Sequence, residues 1–184
     1  MKRLVLATVA VVLLVACGEK TTLSSPDGRI KLDFNVTSEG VPTYSLVFDD
    51  ETIVEPSRLG IETLEREFAS GLRVVDVEHS SSDNVWQPVW GQFAEIHDCY
   101  NAMCVTLAAA DGAELKVEMR LYNDGLGLRY RLEGEGSANI TREHTEFRMA
   151  GDYAAHWMAG SDDDAEFDYM HTPLSGITPE NMHT

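Results

Sequence analysis

Residues 115–132 read LKVEMRLYNDGLGLRYRL, in which apolar and polar side chains alternate on both sides of a short polar turn. Positions 115, 117, 119 and 121 are apolar, and so are positions 126, 128, 130 and 132. A period of two places such side chains on one face of a β-strand. The stretch therefore predicts two half-buried strands, each with its other face in water.

The same alternation and the same turn chemistry recur along the chain. Residues 30–36 read IKLDFNV, with apolar side chains at every second position. Glycine after aspartate or asparagine supplies the positive φ of tight hairpins. No long segment has a period of 3.6, so the sequence predicts an all-β fold, an antiparallel sandwich with little helix. The predicted turns are Pro26-Asp27-Gly28, Asp49-Asp50, Asp111-Gly112 and Asn123-Asp124-Gly125.

The N-terminus has the order of an export signal. Lys2 and Arg3 precede an apolar run over residues 4–16, which ends at Cys17. As a helix the run would span about 20 Å, short of the roughly 30 Å hydrocarbon core of a membrane. Leu14-Val15-Ala16-Cys17 also resembles the bacterial lipobox, which implies that Cys17 becomes a lipid-modified N-terminus. The alternative is an ordinary cleaved signal with a chance cysteine.

These features divide the chain into three predicted parts. Residues 1–16 are a lipoprotein signal peptide, residues 17–25 a tether, and residues 26–184 a β-sandwich domain. The lipid on Cys17 would attach an exported protein to the cell envelope, in the periplasm or at the outer membrane.

The charge balance excludes one class of partner. The chain carries 14 basic and 31 acidic residues, a net charge of −17, which becomes −19 once residues 1–16 are removed. Such a surface repels phosphate backbones and anionic headgroups. We therefore expect no nucleic-acid partner, and any membrane link must come from the lipid.

Cys99 and Cys104 form a possible disulfide. If residues 99–104 ran as one strand, the two Cα atoms would lie roughly 17 Å apart, beyond the bridging limit of about 7 Å. A bridge therefore needs a turn through residues 100–103, and two buried free thiols are the alternative. A CxxxxC pair is weak evidence for metal, and no neighbouring His or Cys in the sequence completes a site, so we predict none.

The three tryptophans are the candidates for stacking on sugar. Large aromatic side chains are mostly buried, which favours roles in the core or at a domain interface. VWQPVW predicts a strand kinked at Pro88, with Trp86 and Trp90 packed between sheets. Trp157 lies nearest the C-terminus and is a candidate contact with carbohydrate or a neighbouring domain.

Other polar clusters predict no catalytic or metal site. Residues 162–164, with Glu166 and Asp168, are acidic but lack the ligand spacing and turn glycine of an EF-hand loop, so a solvated loop is favoured. The six histidines have no HxxxH or HExxH arrangement. No serine or cysteine lies at a recognisable nucleophile elbow, so we predict no catalytic residue.

From about residue 23 to residue 184, the order of several motifs resembles the N-terminal domain of glycoside hydrolase family 97, the α-glucosidases and α-galactosidases of bacterial envelopes. The resemblance implies a β-super-sandwich that packs against a catalytic (β/α)₈ barrel. The motifs are SPDGRIKLDF, PTYSLVFDDETIVEPSRLGIE, VWQPVWGQ, YNAMCVTL, LYNDGLGLRYRL, TEFRMAGDYAAHWM and TPLSGI.

The resemblance also implies where the chemistry resides. In the family the barrel supplies the paired carboxyl groups of glycoside hydrolysis and holds calcium beside the sugar. None of those motifs has a matching position here, and such a barrel takes roughly 250 residues. The implied role is a non-catalytic domain that supports its own C-terminal barrel and shapes the entrance for α-linked oligosaccharides. The alternative is a free-standing glycan-binding or structural lipoprotein.

Overall fold

The computed structural model describes residues 21–134, 136–161 and 167–182 and is almost entirely β-structure. Cys17 and the predicted signal lie outside these residues. Among the helices described, none has the length and apolar character needed to cross a membrane. The strands are β1 (Thr22–Ser24), β2 (Ile30–Val36), β3 (Pro42–Phe48), β4 (Glu51–Arg58), β5 (Ile61–Thr63), β6 (Glu67–Phe68), β7 (Arg73–Trp86), β8 (Ile96–Ala108), β9 (Glu114–Leu121), β10 (Leu126–Leu132), β11 (Ile140–Glu143), β12 (Ala154–Trp157) and β13 (Met170–Pro173).

Two four-stranded antiparallel sheets form the body of the fold. The first has the order β1-β2-β3-β4, and the second has the order β10-β9-β8-β7. Smaller antiparallel sheets are built from β11-β5-β6 and from β12-β13. The described helix is limited to a 3₁₀ turn at Leu174–Gly176 and one α-helical turn, α1, at Pro179–Met182. The predicted all-β antiparallel sandwich is therefore confirmed.

The alternating apolar side chains of both large sheets meet in one core. On β9, residues 115, 117, 119 and 121 are all buried, as their period of two requires. They pack in the same cluster as side chains from the first sheet and from the connection between the sheets. The core includes Leu32, Phe34, Tyr44, Val54, Leu59, Ile61, Phe68, Leu72, Val77, Met103, Val105, Leu107, Leu115, Val117, Met119 and Leu121.

Two of the four predicted turns have the expected glycine with positive φ. Gly28 and Gly112 have φ angles of 76° and 84°. Asp49 and Asp50 reach 47° and 65° without any glycine. Their carboxylates form ion pairs with Arg29, just before β2, and with Lys31 on β2. Gly125 is the exception, because it is absent from the positive-φ residues of the described chain.

The last residues of the predicted tether pair with the first sheet. Residues 22–24 form β1, which pairs with β2 from Thr22 opposite Asp33 to Ser24 opposite Lys31. Leu23 is buried in the core, and Ser25 is also buried. The clear alternation starts only at Ile30, and a three-residue strand contains too few positions to show a period.

An irregular segment over residues 144–150 closes the free edge of β4. Backbone amides and carbonyls of β4 bond to those of this segment, as in Glu55 N–H to Arg148 O at 2.8 Å and Glu146 N–H to Arg58 O at 2.9 Å. The segment thereby occupies hydrogen-bonding groups that an open edge would expose.

Candidate functional site

The second sheet ends in a two-stranded projection. Strand β9 pairs with β8 only from Asn101 onward, whereas β7 and β8 continue to pair as far as Trp86 and Ile96. Residues 82–100 therefore form an arm that extends past the neighbouring strand, and residues 87–95 make its tip. At the base of the tip, the side-chain amide of Gln87 donates to Glu95 at 3.2 Å.

The tip of the arm exposes large apolar side chains. Trp86 is 49% exposed and Trp90 is 88% exposed, so neither is packed between sheets as the sequence analysis predicted. The reason is positional, because β7 ends at Trp86 and the following residues lie in the loop at the end of the arm, where no opposing sheet covers them. The exposed apolar set of the arm is Val85, Trp86, Val89, Trp90 and Phe93.

Trp157 lies on β12 and is buried, with 9% of its surface exposed. Its indole N–H donates to Thr172 Oγ1 on β13 at 2.9 Å. Its cross-strand partner is Met170, which is partly exposed. Apolar residues nearby in the chain are exposed as well, namely Tyr153, Phe167 and Tyr169. The indole is thus a packing element of the β12–β13 hairpin, and the neighbouring side chains are the ones open to a sugar or a domain.

Both Cys99 and Cys104 are free thiols on strand β8. The strand runs without a turn through residues 100–103, so the structure has the free-thiol alternative and not the disulfide. Burial, followed by the nearby charge of Glu118, raises the pKa of the Cys104 thiol. At neutral pH Cys104 is therefore held as the protonated thiol, which is less reactive than the thiolate.

The arm brings together three metal-ligating side chains that the sequence analysis did not connect. Asp83 and Cys99 are cross-strand partners, and His97 pairs with Val85, two residues further along β7. His97 Nε2 lies 2.5 Å from Asp83 Oδ1, and the ligand atoms of all three residues lie within 4.8 Å of one another. The signal that would have identified this group is a hairpin centred on Gly91, since that register places Asp83 opposite Cys99.

This group does not fit the calcium that the family resemblance implies. Calcium takes six to eight oxygen ligands, whereas the group offers one carboxylate, one imidazole and one thiol. The acidic residues 162–164 and Glu166 lie outside the described residues. The location of the family's calcium therefore stays a prediction.

A cavity of about 520 Å³ opens beside the buried Tyr44. Its walls are largely apolar, with Leu126, Leu128 and Phe147, and its lining includes one carboxylate, Glu143. Glycoside hydrolysis uses two carboxyl groups on opposite sides of the scissile bond. The arrangement can accommodate apolar or sugar surface, but it lacks the pair that cleavage requires.

Comparison with known proteins relates this chain to glycoside hydrolases. A family described as glycosyl-hydrolase 97 N-terminal matches residues 23–184. The retaining α-galactosidase of Bacteroides thetaiotaomicron is 23% identical over 166 residues, which are 88% of this chain and 24% of that protein. A glycoside hydrolase family 97 enzyme from Pseudoalteromonas sp., solved with acarbose, is 29% identical with a TM-score of 0.76. The matched region covers 84% of this chain and 25% of the enzyme's chain.

A further solved structure widens the range of activities. A β-arabinopyranosidase is 26% identical, with a TM-score of 0.71, and the matched region covers 77% of this chain and 23% of the enzyme's chain. The same Pseudoalteromonas enzyme has also been solved, as a variant, with panose. The chain thus spans about a quarter of the length of the relatives it matches.

Proposed function

Because the chain belongs to the glycosyl-hydrolase 97 N-terminal family, we propose that it is the non-catalytic N-terminal β-sandwich of an envelope α-glycosidase. The observation that carries the proposal is the family match over residues 23–184, together with coverage of only a quarter of each relative. In this role the domain supports a C-terminal catalytic barrel and shapes its substrate entrance.

Two exposed apolar surfaces support contact with such a barrel. The first is the arm tip with Trp86, Trp90 and Phe93, and the second is the β12–β13 hairpin with Phe167 and Tyr169. Exposed aromatic clusters of this kind are typical of binding surfaces and of interfaces between domains. We assign both surfaces to the barrel, because three quarters of each relative lies beyond the part that this chain matches.

The substrate class follows from the relatives. One is described as a retaining α-galactosidase, and another was solved with panose and with acarbose. We propose an α-linked glucoside or galactoside as the substrate of the whole protein. Both carboxyl groups and the calcium ion would then belong to the barrel, since the described residues offer neither a catalytic pair nor an oxygen-rich calcium site.

The location of the protein rests on the N-terminal sequence. Residues 1–16 have the order of a lipoprotein signal, and Cys17 is the residue that would carry lipid. We propose an exported protein that is anchored through Cys17 in the periplasm or at the outer membrane. Replacing Cys17 with serine should abolish incorporation of labelled palmitate into the protein, whereas palmitate labelling of C17S would contradict the anchor.

The function is tested by comparing the chain that ends at Thr184 with the product of the same reading frame continued beyond codon 184. We expect the longer protein to hydrolyse p-nitrophenyl α-glucoside or α-galactoside and the 184-residue chain to hydrolyse neither. Cleavage by the short chain alone, or a reading frame that closes at codon 184, would overturn the proposal.

The supporting role has its own readout in the longer protein. Replacing Trp90 and Phe93 with serine should lower its thermal midpoint and activity together, because their interface is lost. A matched control is Ile140→Ser, an exposed apolar residue on β11 outside both surfaces. Saturable binding of maltose or melibiose by the 184-residue chain, abolished by the arm substitutions, would instead favour a free-standing glycan-binding protein.

A further inference from the structure

We propose that Asp83, His97 and Cys99 form a divalent-metal site of zinc type on the arm. The three side chains supply one oxygen, one nitrogen and one sulfur atom, all within 4.8 Å of one another. Zinc is bound by these three ligand types at about 2.0–2.3 Å in tetrahedral geometry, with water completing a three-ligand set. The inference goes beyond the proposed glycosidase role and does not depend on it.

The register of the hairpin holds the three ligands on one face. Asp83 lies directly opposite Cys99, and His97 is two residues from Cys99 on the same strand. Side chains two apart on a strand point to the same face, and cross-strand partners share that face. The backbone pairing alone therefore keeps the ligands together, with no metal needed to collect them.

Only a small movement separates the present geometry from a metal site. His97 Nε2 and Asp83 Oδ1 lie at a hydrogen-bond distance of 2.5 Å, whereas two ligands of one tetrahedral zinc ion lie roughly 3.3–3.6 Å apart. Both side chains are exposed, at 62% and 75%, so rotation about their side-chain bonds can open this gap of about 1 Å. Metal takes the place of the hydrogen bond between the two side chains, with His97 binding through Nε2 as the neutral tautomer that carries its proton on Nδ1. The thiol proton of Cys99 passes to solvent when the thiolate binds the metal.

The surroundings favour a cation. No lysine or arginine occurs in the sequence between Arg73 and Lys116, a stretch that contains the whole arm. The cationic group that does approach, the guanidinium of Arg120, stacks over the ring of Tyr100 at 4.6 Å. Tyr100 alternates with Cys99 along β8 and so faces the other side of the sheet. A positive ion at the three ligands therefore meets no lysine or arginine of the arm itself.

The metal would join β7 to β8 where the support of β9 has ended. Three ligands on two strands act as a cross-link, and this one lies between the sandwich and the exposed aromatic tip. Such a link reduces the freedom of the arm, which holds Trp86 and Trp90 in a defined position. The site would thus restrict the position of the exposed aromatic tip.

The test is a titration of the reduced, metal-free 184-residue chain carrying C17S, so that the thiol at residue 17 does not compete. We expect one equivalent of Zn²⁺ to bind in competition with a chromophoric chelator. Co²⁺ should give the near-ultraviolet absorption of a cobalt–thiolate bond. Each of D83N, H97Q and C99S should weaken Zn²⁺ binding at least tenfold, and C99S should also remove the cobalt–thiolate band.

Matched controls separate this site from adventitious binding. C104S removes the other thiol of the same strand, and H171Q removes a histidine of a different sheet. Both should keep the wild-type Zn²⁺ affinity. Circular dichroism identifies any variant that fails to fold, and H97Q, at an exposed position, provides the test if C99S does not fold. Absence of saturable binding, unchanged binding in all three ligand variants, or loss of the cobalt band in C104S would overturn the site.

Discussion

The hydroxyl of Tyr44, on β3, donates a hydrogen bond of 2.9 Å to the backbone carbonyl of Glu146, which lies 102 residues further along the chain. Tyr44 is only 2% exposed, and Glu146 belongs to the segment that closes the edge of β4. The bond therefore ties an irregular segment to the core of the first sheet.

Replacing Tyr44 with phenylalanine should destabilise the chain by about 1 kcal/mol, because the part-buried carbonyl of Glu146 loses its donor while the packing of the ring is retained. Urea unfolding followed by fluorescence measures this change. Tyr169→Phe is the control, since Tyr169 is 75% exposed and its variant should match the wild type. An unaltered unfolding midpoint in Y44F would contradict the importance of the bond.

Tyr44 should also make stability sensitive to alkaline pH. Burial, reinforced by the neighbouring Tyr130, raises the pKa of Tyr44 from 10.0 to about 12. Between these values the unfolded chain releases a proton that the folded chain keeps, so stability falls as pH rises. The loss reaches about 2 kcal/mol by pH 12. Y44F should lack this component, so its deficit at pH 8 should shrink or reverse by pH 11–12. A constant difference between the two proteins would refute the linkage.

Alanine substitutions at Gly40 and Gly28 distinguish the cost of backbone strain from the cost of a steric clash. Their φ angles are nearly equal, at 74° and 76°. A Cβ at Gly40 would lie 2.4 Å from the backbone nitrogen of Leu72, whereas a Cβ at Gly28 would meet nothing within 4 Å. We expect Gly28→Ala to cost about 1 kcal/mol and Gly40→Ala about 3 kcal/mol or more. Equal costs in thermal or urea unfolding would show that the close approach at Leu72 is unimportant.

Trp157 and Trp90 should respond differently to truncation. Trp157→Ala should destabilise the β12–β13 hairpin by about 3 kcal/mol, because the side chain is buried and donates to Thr172. Trp90→Ala should change the stability of this chain by less than about 0.5 kcal/mol, because the side chain is 88% exposed. Hydrogen exchange of the hairpin amides and thermal unfolding measure the two effects. A large loss of stability in W90A would mean that the tip packs against the sandwich.

The two thiols of β8 should differ in alkylation rate. In a C17S background, C104S leaves Cys99 and C99S leaves Cys104. The raised pKa of Cys104 reduces its thiolate fraction at pH 8, so iodoacetamide should modify Cys99 faster. Zinc should slow the modification of Cys99 and leave Cys104 unaffected if the arm holds metal. Faster labelling of Cys104 would show that burial does not control its reactivity.

Strands β2, β9 and β10 could be predicted from the sequence because their periodicity is local. The alternation over residues 115–132 identified both β9 and β10, and that over residues 30–36 identified β2. The ordered motifs also indicated the family, which the match over residues 23–184 establishes. Strand β1 was missed, since only its pairing with β2 reveals it.

The site residues were harder to predict because their environment depends on where strands end. Trp86 and Trp90 resemble core residues by type, yet they are exposed because β7 and β8 extend beyond the end of β9. Asp83 and Cys99 are 16 positions apart, and only the hairpin register places them together. The number of residues between Cys99 and Cys104 likewise left both a turn and a strand possible until the course of β8 was known.

The amino-acid sequence by itself determined which residues alternate, and hence the strands, the buried faces and the all-β class, since a period of two acts within a few residues. It also determined the acidic charge and the family motifs. Only the tertiary structure decided where the arm leaves the sandwich, which tryptophans face solvent and which side chains meet across strands. Those outcomes depend on the relative lengths and register of strands that pair over long distances, and no local pattern contains that information.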